Sequence, residues 1–147
     1  MEIKVCGMRE RDNCYQLVQE VNPDWMGLIF YPKSSRLVPA ESADWLVDLP
    51  IKKVGVFVNE PIESIVQTVI AAGLNMIQLH GDEDGAYYEQ LKLSLSQVGL
   101  DHVKLIKVFR VGDKMPTLAP FENAADYYLF DTDSKMYGGT GAHFNWE

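Results

Sequence analysis

The sequence predicts an α/β protein of parallel strands joined by helices, and it favours a (β/α)8 TIM barrel over a doubly wound open sheet. Strand-like and helical segments alternate regularly along the chain, which is typical of parallel strands with right-handed crossovers. The strand segments are almost continuously apolar, as expected of parallel strands that are covered on both faces. No Gly-x-Gly-x-x-Gly motif follows the first strand, where the sequence reads Cys6-Gly7-Met8-Arg9, and this weakens the dinucleotide-binding alternative.

The strands are predicted from short apolar runs bounded by turn residues. These runs lie at residues 3–6, 26–30, 53–58, 75–80, 103–109 and 127–131. The last run ends in Asp131, and a glycine-rich segment at residues 138–141 follows it. Catalytic groups of α/β proteins lie at the carboxyl ends of such strands, although an aspartate that begins a turn gives the same pattern.

Between the strands, apolar residues recur at the three- and four-residue spacing of amphipathic helices. The stripes comprise Cys14, Leu17, Val18 and Val21 in the first helix, Ile62, Ile65, Val66, Val69 and Ile70 in the third, and Tyr88, Leu91 and Leu95 in the fourth. The third helix is expected to have Asn59 as its N-cap, Pro61 in its first turn and its end near Gly73. The second and fifth helices, at residues 40–49 and 118–124, are short and weakly specified.

The composition is that of a globular chain forming a single domain over residues 1–147. The net charge of −8 argues against a nucleic-acid partner, although a local basic cluster could hold a small anion. The apolar runs are too short to span a bilayer, and the N-terminus enters a strand pattern directly, so we expect no membrane association. Cys6 and Cys14 have neither metal-site nor disulfide spacing, which indicates a reducing, cytoplasmic location.

Polar and ionisable residues follow the carboxyl ends of the predicted strands, which share one mouth in a barrel. In chain order they are Cys6, Lys33 and Arg36, Asn59, His80 with Asp82, Arg110, and Asp131. A thiol and a carboxylate that face one pocket can carry out paired acid–base chemistry, in which one group takes a proton and the other gives one. Nearby cations would favour the thiolate form of Cys6. The sequence therefore predicts an active site at this mouth.

Each of these residues also has a purely structural interpretation. Cys6 alone is more often a buried apolar residue than a base. Arg36 alone would be a solvated loop charge, but on a loop over the mouth it could form a fork for a carboxylate. His80 is as well suited to hold a loop by hydrogen bonds as to contact a ligand. Asn59 is a typical helix-cap residue, and Asp82 is typical of a cap or a turn.

Two lysines within strands, Lys4 and Lys107, could point into the barrel, but strand alternation alone does not decide their direction. The remaining prominent side chains are assigned to packing: Cys14, Trp25, Trp45 and Trp146. These residue-level arguments leave the substrate open.

The segments discussed above carry a resemblance to one enzyme family. They are KVCG at 4–7, GLIF at 27–30, PKSSR at 32–36, VGVFVN at 54–59, QLHGDE at 78–83, LFDT at 129–132, GGTG at 138–141 and FNW at 144–146. Together and in this order they resemble the motifs of phosphoribosylanthranilate isomerases, which are (β/α)8 enzymes of tryptophan biosynthesis. The family converts N-(5-phosphoribosyl)anthranilate to 1-(2-carboxyphenylamino)-1-deoxyribulose 5-phosphate by an Amadori rearrangement, without metal or organic cofactor.

The resemblance implies a role for each matching residue. Asp131 is the expected general acid, which protonates the ribose ring oxygen and opens the ring to a Schiff base. Cys6 is the expected general base, which then removes the proton from ribose C2. Arg36 is expected to bind the anthranilate carboxylate, and Gln78 and His80 are expected to line the substrate site.

The chain departs from the family pattern chiefly in its length. Barrels of this kind need about 200 residues or more and eight strands, so only about the first six β/α units are expected in these 147 residues. The seventh and eighth units, and with them the usual phosphate site, would be missing. A fragment, a truncated gene product and a partial sequence remain open explanations, and the chain alone is expected to be weakly active or inactive. Smaller departures are Ser35, where proline is usual, and Asn145, where aspartate is usual.

Two rival functions remain. In the first, a non-catalytic barrel fragment forms a homo-oligomer by pairing the open edges of its first and sixth strands. In the second, the chain is another phosphate-binding barrel, such as indole-glycerol-phosphate synthase. That family uses a lysine general acid and glutamates at strand ends, which the Cys6–Asp131 pair does not fit. The expected partner is therefore a phosphorylated small-molecule substrate, with no nucleic acid and no membrane.

Overall fold

The computed structural model describes residues 1–112 and 116–132. Six parallel strands form a sheet in the order of the chain: β1 (Lys4–Cys6), β2 (Trp25–Ile29), β3 (Lys52–Phe57), β4 (Met76–Leu79), β5 (Lys104–Val111) and β6 (Tyr127–Thr132). Each strand pairs in parallel with its neighbours in the sequence. In a doubly wound sheet the chain starts near the middle and adds strands first towards one edge and then towards the other, so the spatial order departs from the chain order. Here the two orders are the same, which confirms the barrel-type α/β architecture over these six strands.

The helices lie between the strands: α1 (Arg11–Glu20), α2 (Ala43–Leu46), α3 (Ile62–Ala72) and α4 (Gly85–Gln97), with 3₁₀ turns at Ala40–Ser42 and Ala119–Phe121. As predicted, α4 buries all three residues of its apolar stripe. Two residues of the other predicted stripes are exposed instead, Val21 by 61% and Ile70 by 57%. Val21 lies at the C-cap of α1, and Ile70 is about 100° round α3 from the buried Val69, so neither side chain reaches the sheet.

The sheet carries apolar clusters on both of its faces, because successive side chains of a strand point to opposite sides. On the face covered by helices, the main core includes Met26, Leu28, Phe57, Ile77, Leu79 and Leu105. On the concave face, a smaller cluster consists of Val54, Met76 and Ile106 with Trp25 and Leu129 packed against it. The smaller cluster forms the floor beneath the carboxyl ends of the strands.

The start of α3 differs from the prediction. Its N-cap is Pro61 and not Asn59. Asn59 has a left-handed backbone with φ of 48°, and its side-chain oxygen accepts a hydrogen bond from the N–H of Asp82 at 2.9 Å. Asn59 therefore ties the loop after β3 to the loop after β4. Gly73 ends the helix as predicted, with a φ of 63° that favours glycine.

The packing assignments of Cys14, Trp25 and Trp45 are confirmed, since Cys14 is fully buried and the two indoles pack against the apolar clusters. Burial, and to a lesser extent Glu10, raises the pKa of the Cys14 thiol to about 11. Trp146, Asn145 and the glycine-rich segment at 138–141 lie outside the described residues. Within residues 1–112 and 116–132, no helix has the length and apolar character needed to cross a membrane.

Candidate active site

A cavity of about 220 Å³ opens on the concave side of the sheet, at the carboxyl ends of its strands. All five residues predicted for the site line it: Cys6 on β1, Arg36 on the loop after β2, Gln78 on β4 with His80 just after it, and Asp131 on β6. Because side chains alternate along a strand, every second residue at these strand ends faces the cavity. The fold thus brings together side chains that lie far apart in the sequence.

Cys6 reaches the cavity because the residue beside it on β2 is a glycine. Cys6 and Gly27 are partners in register, and a Cβ at Gly27 would lie 2.6 Å from the Cys6 Sγ and 3.0 Å from its Cα. The Cys6 side chain therefore occupies space that any other residue at position 27 would fill. Of the two cysteines, Cys6 is exposed and Cys14 is buried, so Cys6 is the one that offers its sulfur to a ligand.

A second glycine leaves the space that the Arg36 side chain occupies. Gly7 follows Cys6 with a φ of 88°, and a Cβ there would lie 2.7 Å from the Arg36 Nη1. The loop is held by the Ser34 hydroxyl, which accepts a hydrogen bond from the Arg36 N–H at 3.1 Å, and by the Ser34 N–H, which donates to the Tyr31 carbonyl at 2.9 Å. The guanidinium therefore lies beside the Cys6 end of β1, where it can bind an anionic group.

His80 and Asp131 meet inside the cavity. His80 Nε2 lies 3.1 Å from Asp131 Oδ2, and Asp131 Oδ1 accepts a hydrogen bond from the Thr132 N–H at 2.9 Å. The His80 side chain is 9% exposed. The pKa of His80 is lowered from its ordinary value: burial is the largest cause, Asp131 opposes it through its charge and its hydrogen bond, and the charges of Arg110 and Lys4 act in the same direction as burial. This environment favours a neutral imidazole beside Asp131.

Lys4 is a site residue whose direction the sequence left open. It lines the cavity, and its ammonium group donates a hydrogen bond to the Gln78 Oε1. Burial lowers the pKa of Lys4, and Cys6 opposes this effect. Lys107 points to the opposite face of the sheet, where its Nζ donates to the Glu83 carbonyl at 3.1 Å. Lys4 precedes Cys6 by two positions, and residues two apart in a strand point to the same face. If Cys6 faces the cavity, strand alternation therefore predicts that Lys4 does so as well.

Sequence reasoning also overlooked Glu83. Its buried carboxylate accepts hydrogen bonds from the N–H groups of Asn59 at 2.8 Å and of Gly81 at 2.9 Å. These bonds join the loops after β3 and β4, directly beside His80. A glutamate is seldom buried without such partners, but nothing in the neighbouring sequence marks this one as buried.

The other strand-end residues do not line the cavity. Lys33 is exposed, Asn59 is turned towards the loop after β4, and Asp82 forms an ion pair with Arg110. In the part of the chain that the structure describes, no group of three or more His, Cys, Asp or Glu side chains is arranged to hold a metal ion.

A larger cavity of about 460 Å³ lies on the outer side of the sheet, between α2 and α3. Its lining is mainly apolar and includes Phe30, Leu46 and Phe57, with Glu60 as an ionisable group. Among the described residues, paired acid and base groups occur in the concave cavity and not in this outer one. The concave cavity, with a thiol, a carboxylate and a guanidinium, is therefore the candidate site for acid–base chemistry on an anionic ligand.

In sequence and in structure the chain is similar to one family of known proteins. The sequence model of the N-(5'-phosphoribosyl)anthranilate (PRA) isomerase family matches residues 3–147. An N-(5'-phosphoribosyl)anthranilate isomerase of Phocaeicola vulgatus is 39% identical over 146 residues, which cover 99% of this chain and 67% of the relative. The crystal structure of phosphoribosyl anthranilate isomerase from Thermotoga maritima matches with a TM-score of 0.73 and 31% identity, over 99% of this chain and 68% of that one.

A further isomerase structure contains a ligand, reduced 1-(o-carboxyphenylamino)-1-deoxyribulose 5-phosphate. It matches with a TM-score of 0.67 and 30% identity, over 90% of this chain and 66% of that one. The present chain thus spans about two thirds of the length of these relatives.

Proposed function

Because the chain belongs to the N-(5'-phosphoribosyl)anthranilate isomerase family, we propose that it catalyses the isomerisation of N-(5'-phosphoribosyl)anthranilate to 1-(2-carboxyphenylamino)-1-deoxyribulose 5-phosphate in tryptophan biosynthesis. The observation that most supports this proposal is that Cys6, Arg36 and Asp131 all line the same cavity. A relative binds the reduced form of the same product, which makes the product a suitable ligand for this cavity.

In the proposed mechanism, Asp131 is the general acid and Cys6 is the general base. Asp131 protonates the ring oxygen of the ribose, and the C1–O bond breaks to give an open-chain Schiff base. The Cys6 thiolate then removes the proton from C2, which gives an enolamine. Protonation of the enolamine at C1, together with loss of the proton from the C2 hydroxyl group, yields the ketone, so the product has the same composition as the substrate. His80, neutral and in contact with the Asp131 carboxyl group, lies where it can orient the acid.

Arg36 is the proposed ligand of the anthranilate carboxylate. Its guanidinium rests on Gly7 next to Cys6, so a carboxylate bound there would lie close to the thiol. Guanidinium and carboxylate groups form paired, charge-assisted hydrogen bonds. Gln78 and His80 line the same cavity and are proposed to contact the substrate.

Two substitutions test the acid and the base. We expect Cys6→Ser and Asp131→Asn each to lower turnover by about 100-fold or more, since a positioned acid or base contributes on that scale. Turnover is followed by the loss of substrate fluorescence. Cys14→Ser and Asp101→Asn are the matched controls, in a core position and at an exposed position, and folded protein of either variant should keep its turnover. Near-normal turnover in Cys6→Ser or Asp131→Asn would remove that residue from the mechanism.

Arg36→Met tests the carboxylate site. A hydrogen bond to a charged group contributes about 1.5–3 kcal/mol, so we expect KM to rise about tenfold or more with a smaller change in kcat. Lys33→Met, on the same loop but exposed and outside the cavity lining, is the matched control and should leave KM unchanged. Equal KM values for both variants would show that the carboxylate is held elsewhere.

A further inference from the structure

Four side chains form a continuous line of contacts across the concave cavity, from β1 through β4 to β6. Lys4 Nζ contacts Gln78 Oε1, and Gln78 Nε2 lies 3.5 Å from His80 Nδ1. His80 Nε2 in turn lies 3.1 Å from Asp131 Oδ2. Gln78 and His80 are both buried, so bulk water does not compete freely for these contacts.

The chemistry of the groups sets the direction of each hydrogen bond. A lysine ammonium only donates, so the Gln78 atom that faces Lys4 is its carbonyl oxygen. The amide nitrogen of Gln78 is then left facing His80 Nδ1, and an amide nitrogen also only donates. A hydrogen bond between these two nitrogens requires Nδ1 to accept, and an Nδ1 that accepts carries no proton.

We infer that Lys4 and Gln78 are positioning residues that hold His80 as the neutral tautomer protonated on Nε2, with this N–H donated to Asp131. The catalytic consequence rests on the proposed function, in which Asp131 is the acid. The carboxylate is the form of Asp131 that remains after it has protonated the substrate, and a hydrogen bond from Nε2 stabilises that form. The opposite tautomer would place a ring lone pair against the carboxylate.

The surroundings of His80 agree with a neutral ring. The titratable groups that line its cavity or act on it are Asp131 on β6, Arg110 on β5, Lys4 and Cys6 on β1, and Tyr31 and Arg36 after β2. Lys4 and Arg110 disfavour a positive charge on the imidazole, as does burial, whereas Asp131 favours it. Among the described residues, the rest of the lining carries no titratable group and consists of Gln78, Val56, Val58, Ile29, Leu129 and Ser34.

The test is ¹⁵N NMR of the histidine rings in the purified protein at neutral pH, because the ring nitrogen shifts distinguish the two neutral tautomers from the doubly protonated ring. The sequence contains three histidines, and His80→Gln identifies the His80 signals by their loss. We expect a proton on His80 Nε2 and none on Nδ1. A proton on Nδ1 in the wild-type protein would overturn the inference.

Gln78→Glu provides a second measurement. The new carboxylate would face Nδ1 with an acceptor, so we expect a doubly protonated ring whose titration midpoint is higher by about one pH unit or more. Gln90→Glu, the same change on the exposed face of α4, is the matched control and should leave the His80 midpoint unchanged. An unmoved midpoint in folded Gln78→Glu would overturn the inference.

Lys4→Met gives a third measurement, which does not depend on the folding of Gln78→Glu. Without the lysine donor, the Gln78 amide is free to reverse, and we expect a mixture of His80 tautomers. Persistence of the pure Nε2–H form in this variant would show that Lys4 does not position Gln78.

These spectra need no substrate, so this inference and the proposed function fail separately. An Nδ1–H signal together with a large loss of turnover in Asp131→Asn would reject the inference and leave the proposed function standing. An Nε2–H signal in a protein whose turnover does not depend on Asp131 would reject the proposed role of Asp131 and leave the tautomer assignment standing.

Discussion

At the scale of single residues, the position of the Cys6 sulfur depends on the missing side chain of the adjacent strand. A Cβ at position 27 would come within 2.6 Å of the sulfur, so Gly27→Ala must displace either the thiol or β1. A misplacement of about 1 Å can cost about 100-fold in rate. We therefore expect the kcat of Gly27→Ala to fall by about 10- to 100-fold in steady-state kinetics.

Gly55→Ala is the matched control for this change, because Gly55 lies on the neighbouring strand but faces the helices. A Cβ there would lie 2.5 Å from Leu74 Cδ1 and 2.8 Å from Phe57 Cε2. Overpacking of this kind costs about 1–3 kcal/mol of stability, while the folded fraction should keep its kcat. Equal losses of kcat in the two variants would mean that Gly27 acts through general packing and not through Cys6.

The sequence predicts that Cys6, Asp131 and their neighbours meet at the strand ends, but it does not settle the direction of Lys4 or predict the burial of Glu83 next to the cavity. Strand alternation puts Lys4 on the same face of β1 as Cys6, but the pairing of β1 with β2 decides which face of this short strand enters the cavity. The burial of Glu83 depends on N–H groups from two separate loops. Both are consequences of tertiary contacts, which local patterns of residue type do not contain.

At the scale of elements, the Glu83 carboxylate joins the loops after β3 and β4, in addition to the hydrogen bond that the Asn59 side chain makes between them. Glu83 accepts hydrogen bonds from the N–H groups of Asn59 and Gly81. In Glu83→Gln one of these donors would face an amide N–H group, so we expect the free energy of unfolding to fall by about 1–3 kcal/mol in urea unfolding. Glu89→Gln, on the exposed face of α4, should stay within about 0.5 kcal/mol of wild type. An unchanged free energy of unfolding in Glu83→Gln would contradict the conclusion that Glu83 stabilises the contact between these two loops.

Strand positions follow closely from the sequence, because buried parallel strands are continuous apolar runs. Predicted and observed strand ends differ by two residues at most. The N-cap of α3 could not be predicted in the same way. Asn59 is a suitable cap by residue type, but its left-handed backbone and its hydrogen bond to the Asp82 N–H take it out of the helix start. Tertiary contacts override a local preference here.

At the scale of the whole molecule, the curvature of the sheet brings its two outermost described strands to one cavity. Cys6 lies on β1 and Asp131 on β6, at opposite ends of the strand order, and both line the cavity. Hydrogen bonds from Lys4 to Gln78 and between His80 and Asp131 link each outer strand to the β4 end. This meeting follows from the twist and stagger of a parallel sheet, so it could be predicted only through the fold class.

The histidine between β4 and β6 should also make the stability of the fold depend on pH. Burial lowers the pKa of His80 from its ordinary 6.5, against the effect of Asp131, so below about 6.5 the unfolded chain binds more protons at this residue than the folded protein does. The free energy of unfolding should therefore fall as the pH drops from about 7.5 to 5.5, and this component should be absent from His80→Gln. His102→Gln, at an exposed histidine, is the matched control and should retain the wild-type slope in urea unfolding. A wild-type profile as flat as that of His80→Gln would contradict a buried, neutral His80.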